Sequence, residues 1–219
     1  MKKIFSIVFA VAISTGLFAS QGMVVTQTYT DANNKNASMT VTWYISQTQC
    51  KLKMAYADGK VNSNNYFIPD LAKAQLLAYS DGVAPGAPQK SYYTIPVQNI
   101  KAAAEVARVN VSRPGETKTV GGVVCEKIII KTNTGVTEMW VTKEFKPDFY
   151  KFSVYFQSSV ELLGLSQEGI QGVPLESVTK DNAGAVVSSY SLVSAVSTEL
   201  SAADFVVPAE FKSTDGVTK

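Results

Sequence analysis

Apolar and polar residues alternate along most of the chain. Met39, Val41, Trp43 and Ile45 fall on one side of a period of two, and Thr40, Thr42 and Tyr44 on the other. That period predicts a half-buried β-strand, because successive side chains of a strand point to opposite faces of its sheet. Cys50, Leu52, Met54 and Tyr56 repeat the pattern with Lys51 and Lys53 opposite, and Asp58-Gly59 supplies a tight hairpin turn. Further strands are expected over 64–69, 73–79, 106–111, 116–120, 123–131, 136–142, 173–180 and 186–196, with a short edge strand over 92–96. Residues 83–89 carry two prolines and a glycine and read as a loop, while 133–135 and 181–184 read as turns.

Helical periodicity is scarce. Phe152, Tyr155, Phe156 and Leu162 predict one helix over 149–163, with Asp148 as its cap. The aromatic and β-branched content of that segment leaves a strand open for its first half. A single helical turn is expected in 100–105 and a short turn in 201–204. There is no internal repeat or break in composition, so residues 21–219 read as one β-rich domain.

The first twenty residues stand apart from this pattern. Lys2 and Lys3 precede an apolar run over 4–13, and Ala19, Ser20 and Gly22 are small. This is the layout of a secretory signal peptide over 1–20, and the run is shorter than the roughly 20 residues of a membrane span. Cleavage is expected after Ala19, with cleavage after Gly22 the alternative. No cysteine adjoins either site, so no acyl anchor is expected. The protein is read as exported, periplasmic or secreted, with no membrane span in the mature chain.

Charge and composition narrow the chemistry. The 219 residues are 46% hydrophobic and 17% charged, an ordinary globular balance. Without Lys2 and Lys3 the basic and acidic side chains balance at 18 each, and Arg108 and Arg113 are the only arginines. Nucleic acid and anionic membrane surfaces are therefore not expected partners. Histidine is absent, which removes imidazole bases, Ser-His-Asp and Cys-His nucleophile systems and His-ligated zinc. Glu116, Glu126, Glu138 and Glu144 are carboxylates of the kind that glycosidic chemistry uses in pairs, but nothing in the sequence brings two together, and solvated strand-face charges are the simpler reading. No Asp-x-Asp-x-Asp calcium loop occurs. The expectation is no enzyme, no metal and no cofactor.

Cys50 and Cys125 form an even pair in an oxidising compartment. A bridge between them closes a loop of 75 residues, worth about 4 kcal/mol by chain entropy. Two buried, unpaired thiols are the alternative, and both stay open because Cα separation decides between them.

Four segments carry a resemblance. GETKTVGGVVCEK (115–127), EMWVTKEF (138–145), GVPLE (172–176) and DFVVPAEFK (204–212) resemble, in order and spacing, the domain-of-unknown-function 4412 family of exported bacterial proteins. The likeness covers most of the chain beyond about residue 60, and Cys125 and Trp140 fall on the family's recurrent Cys and Trp. Val123-Val124 depart from it, where a Tyr is expected near the Cys, and Cys50 has no place in the pattern. The family is distantly similar to periplasmic lipoprotein-carrier folds. The resemblance implies a curved antiparallel sheet, or a partly closed barrel, with one or two helices on its concave side.

Two functions fit these readings. One is a non-enzymatic carrier or binder of a lipid or other apolar ligand in the cell envelope, lined by Met39, Val41, Trp43, Leu52, Met54 and Trp140. In its bland form, the helix over 149–163 fills that space. The other is a structural or protein-interaction module of the envelope, with an envelope protein as its partner.

Overall fold

Period-two alternation becomes one large curved sheet. The computed structural model describes residues 20–32, 34–57, 62–82, 90–97, 110–156, 165 and 168–214. The strands are β1 (Ser20–Asp31), β2 (Asn34–Ser46), β3 (Cys50–Ala57), β4 (Asn62–Asp70), β5 (Gln75–Ser80), β6 (Ser91–Pro96), β7 (Asn110–Ser112), β8 (Thr117–Val120), β9 (Val123–Lys131), β10 (Gly135–Thr142), β11 (Pro174–Asp181), β12 (Val186–Leu200) and β13 (Lys212–Ser213). Their order across the sheet is β13-β6-β5-β4-β3-β2-β1-β12-β11-β10-β9-β7, with β8 also on β9. Every pairing is antiparallel except β13 on β6. The sheet is open, so the barrel alternative does not apply.

Residues 20–31, to which the alternation above assigns no element, form the strand that joins the two halves. β1 pairs β2 on one side and β12 on the other. Its Met23, Val25 and Gln27 are all buried, and the polar Gln27 interrupts what is otherwise an apolar stripe. Gln27 Nε2 donates to the carbonyls of Pro174 and Leu175, at 3.1 and 2.8 Å. Those carbonyls lie before Ser177, where the pairing of β11 with β12 begins. The glutamine thus satisfies buried acceptors that the ladder leaves over.

The turn chemistry follows the sequence. Gly121 and Gly122 both have positive φ, 55° and 85°, and link β8 to β9 by a two-residue turn. Two consecutive left-handed residues give the twist that an antiparallel hairpin needs, and glycine adopts them without a Cβ clash. The Trp-Val-Thr motif ends in Thr142, which is buried. Its hydroxyl donates to the Phe145 carbonyl (2.8 Å) and accepts from the Val173 amide (2.9 Å), tying the loop after β10 to the start of β11.

The expected helix over 149–163 is shorter in its described part. One α-helical turn, α1 (Tyr150–Ser153), runs into a 3-10 turn over Val154–Phe156. The run of Tyr, Phe, Val, Tyr and Phe costs side-chain freedom in an α-helix. Residues 157–164 lie outside the described residues. So do the leader over 1–19, the Asp58-Gly59 turn, the loop over 83–89 and the helical turn over 100–105. The short turn over 201–204 is a 3-10 turn over Ala202–Phe205.

The main core lies on the inner face of the sheet. Val25, Ile45, Ile128, Val141 and Leu175 from the strands meet Phe149, Tyr150, Phe152, Leu165 and Ile170. A smaller cluster sits on the opposite, outer face, where Ile68 and Tyr79 are covered by Phe211 and Val207 of the C-terminal segment. That segment then adds β13 to the edge at β6.

Candidate functional site: the inner face of the sheet

Strand register sorts the inner face into rows, because residues directly opposite in a ladder share a face. The deepest row is Met23, Ile45 and Cys50, all buried. Next comes Ala195, Val25, Trp43, Leu52, Phe67 and Ala78. Above it lie Leu192, Gln27, Val41, Met54 and Asn65. The outermost row is Ser177, Tyr190, Tyr29, Met39, Tyr56 and Ser63. Burial extends into the outer rows at Gln27, Val41 and Met39, while Tyr56 in the outermost row is 42% exposed.

Five of the six residues expected to line an apolar site lie together here. Met39, Val41 and Leu52 form one buried cluster, with Trp43 and Met54 packed against it and partly open. Tyr29, Phe67, Phe156 and Tyr190 complete its margin. Trp43 is engaged from above: its ring meets Phe149 at 5.0 Å and Phe156 at 5.2 Å, both edge-on. Phe149 and Phe156, on either side of α1, thus pack on the Trp43 row, and Phe156 also packs against the Met39–Val41–Leu52 cluster.

Trp140 does not belong to this face. Met139 stands opposite Ser177 and so shares the inner face, which turns Trp140, one residue on, outward. Its ring lies under the ammonium groups of Lys118 (4.5 Å) and Lys127 (5.9 Å). Around it runs a ladder of ion pairs: Lys118–Glu176 (2.6 Å), Lys127–Glu138 (3.1 Å), Lys180–Glu138 (3.1 Å) and Lys127–Glu116 (3.5 Å). Hydrogen bonds from Lys127 and Lys180 hold the Glu138 carboxyl below its ordinary pKa. Glu126 is taken by Arg113, at 2.8 Å. Glu126 and Glu138, on strands, and Glu116, just before β8, are thus carboxylates held by cations.

Cys50 and Cys125 are both buried and unbridged, on β3 and β9, six strands apart in the sheet order. Burial raises the Cys50 pKa well above its ordinary value and, as the largest effect, pushes Cys125 up to about 11. Both shifts keep the thiols in the protonated form at neutral pH. Among the described residues no three His, Cys, Asp or Glu side chains gather as a metal site, and no helix is long and apolar enough to cross a membrane.

A separate cleft of about 460 Å³ opens on the outer face. Ile68, Leu77 and Tyr92 form its floor, and Phe205, Val206 and Val207 one wall. Sequence reasoning missed it, as it missed Tyr29, Phe67 and Tyr190 on the inner face. The alternation of Met23, Val25, Gln27 and Tyr29 was the available signal for Tyr29. The cleft had none, because its wall is an irregular segment brought in by tertiary packing.

Solved structures similar to this chain are distant from it. An uncharacterized conserved protein from Thermus thermophilus is 10% identical with a TM-score of 0.49, covering 89% of this chain and 90% of that one. The MucA/MucB complex of Pseudomonas aeruginosa gives 11% and 0.47, covering 87% of this chain and 56% of that one. A putative outer membrane lipoprotein-sorting protein domain from Vibrio parahaemolyticus gives 10% and 0.22, covering 87% and 90%. This chain thus spans little more than half of the chain it matches in the MucA/MucB complex. Likenesses this distant say nothing about ligand or partner. No curated protein matches this chain. Of the segments singled out above, the Gly-Gly pair turns β8 into β9, the Trp-Val-Thr run ends β10, the Gly-Val-Pro-Leu-Glu run leads into β11, and the closing Phe-x-x-Pro starts on the last residue of the 3-10 turn over Ala202–Phe205. In agreement with them, residues 21–211 match the family described as Domain of unknown function (DUF4412), and the chain belongs to that family.

Proposed function

We propose that the protein is exported and binds an apolar ligand on the inner face of its sheet, as a non-enzymatic carrier or binder in the cell envelope. The observation that supports this is the margin of the Met39–Val41–Leu52 cluster. Tyr29, Trp43, Met54, Phe67 and Tyr190 share a face, pack on a buried apolar floor and remain partly open. A row of aromatic side chains and methionine suits apolar ligands of varied shape, because the thioether is flexible and polarizable. Leader-like residues at the N-terminus support the export half of the reading. A structural or interaction module is the second reading. Val193 and Val196 of β12, at 62% and 55% exposure, favour it.

Nile red, an uncharged dye that brightens in apolar surroundings, tests the first reading. Saturable binding at micromolar concentration is expected, with loss of binding in Met54→Glu, a variant whose circular dichroism should still show the folded sheet at a lower melting temperature. Native mass spectrometry of protein purified from its own host should show an apolar adduct. No saturable dye binding and no adduct would leave the interaction module ahead.

A further inference from the structure

We propose that residues 206–214 form a strap that gates the outer-face cleft and opens as a unit while the sheet stays folded. The strap acts on the outer face and does not depend on a ligand at the inner one.

Burial along the segment is concentrated at one side chain. Phe211 is the only buried residue from Val206 to Thr214. Its ring meets that of Tyr79 at 4.7 Å, and the Lys90 ammonium stands 5.7 Å from its centre. Val207, partly buried, packs on the same cluster as Leu77 and Ile68. Around this anchor the attachments are light. β13 is two residues long, opposite Ser91 and Tyr92 of β6. The Lys212 and Thr214 amides donate to the carbonyls of Lys90 (3.0 Å) and Tyr92 (2.9 Å). Glu210 pairs with Lys90 at 3.4 Å, and both side chains are more than half exposed, so the pair contributes little.

The near end of the segment is built as a hinge. The 3-10 turn before it is held by the Asp204 carboxylate, which accepts from the Ser201 amide (2.7 Å) and hydroxyl (2.9 Å), and Phe205 is buried. Directly after the turn, Val206 is extended (φ −116°, ψ 155°) and 54% exposed. Among the described residues no hydrogen bond ties the backbone of Val207, and Pro208 has no N–H. Val206 and Val207 also belong to the wall of the cleft. Rotation at these two residues swings the strap and widens the cleft. The empty space of about 460 Å³ beside them leaves that side of the wall without packing partners.

The sheet keeps its own pairing when the strap leaves. β6 runs antiparallel to β5 from Gln75↔Pro96 to Tyr79↔Tyr92, a ladder in which β13 has no part. Release therefore forfeits the contacts of the strap alone, a local opening that costs less than unfolding the sheet. It uncovers Ile68, Leu77 and Tyr79 as an apolar floor continuous with the cleft.

Hydrogen exchange in the full chain, read amide by amide by NMR, tests this. The Lys212 and Thr214 amides are expected to exchange about a hundredfold faster than those of Val25 in β1 and Ala78 in β5, with little dependence on urea. Gln27→Leu weakens the sheet far from the strap, so it should speed Val25 and leave Lys212 and Thr214 as they were. Loss of the anchor costs no more than the opening itself, so Phe211→Ala should keep the sheet and speed the two strap amides about tenfold. For the cleft, Ile68→Cys places a thiol on its floor. That thiol should react with DTNB while Cys50 and Cys125 stay unreacted, and about tenfold faster when Phe211→Ala is added. Strap amides as slow as Val25 and equally sensitive to urea overturn the proposal, as does a Gln27→Leu chain in which strap and sheet amides speed up together. Loss of the sheet in Phe211→Ala, or equal DTNB rates with and without Phe211, overturns it too.

Discussion

Trp43 shows how one residue can serve both packing and a ligand. It belongs to the inner face through its register with Val25 and Leu52, and its ring is held edge-on between Phe149 and Phe156. Trp43→Ala removes one of the contacts that hold the α1 segment on the sheet, beside those of Tyr150 and Phe152. The expected cost is about 3 kcal/mol, read as a lower urea midpoint. Trp140 is the same residue type with a different role. Its ring packs against the main core from the outer face and lies beside ion pairs that are only partly exposed. Glu138→Gln takes the charge from two of those pairs at once, Lys127 and Lys180, and is expected to lower the melting temperature by a few degrees, about 1 kcal/mol. Cys50 and Cys125 should resist thiol reagents in the folded protein and label as two thiols after denaturation, since both are buried and free. Fewer than two labelled thiols in unfolded, unreduced protein would contradict the structure.

At the scale of elements, β1 has the most consequence, since it is the seam between the halves of the sheet. Gln27 joins that seam to the start of β11 through two carbonyls. Gln27→Leu keeps the volume and leaves both acceptors without that donor, one of the bonds being fully buried. The expected loss is about 2 kcal/mol, measured by urea unfolding. The hairpin of β8 and β9 depends in the same local way on Gly121-Gly122. A Cβ on Gly121 would come within 2.5 Å of Leu192 Cδ2 as well as sit at positive φ, so Gly121→Ala is expected to destabilise the hairpin. The strands of this region were legible because alternation and turn residues agree: β9 runs from Val123 to Lys131 as read from the pattern. The segment after Asp148 was less so. Aromatic residues at three-to-four spacing suit a helix and a buried loop alike, and contacts with Trp43 set their position.

For the whole molecule, several buried acids set the response to pH. Cys125 is raised from an ordinary 9.0 to about 11, and Tyr79 and Tyr190 from 10.0 to about 12, chiefly by burial. A group whose pKa is higher folded than unfolded holds its proton more tightly in the folded state. Its contribution is intact below the unfolded value and is lost as pH rises through the folded one. Stability should therefore hold to about pH 9 and fall between about 9 and 12, followed as melting temperature against pH. Circular dichroism should show β structure with a minor helical part. N-terminal sequencing of exported material should begin near Ser20, and a chain beginning at Met1 in the envelope would refute the leader.

The sequence by itself determined most of the strands, though not β1. Period two and turn residues specify strands and their two faces locally, and alternation alone puts Met39, Val41 and Trp43 on one face of β2 and Leu52 and Met54 on one face of β3. It also determined what chemistry is absent, since no histidine means no imidazole. Only the tertiary structure decided which face of each strand looks inward. For β10 that choice places Met139 and Val141 in the core and turns Trp140 to the ion pairs. A strand pattern has two sides of opposite phase, and both sides of β10 hold large apolar residues. The curvature and the strand order, which bring Tyr29, Tyr56 and Tyr190 into one row, then set the outermost row of the inner face. Those three tyrosines come from distant stretches of the chain, and their shared row depends on pairing between strands, which no local pattern encodes.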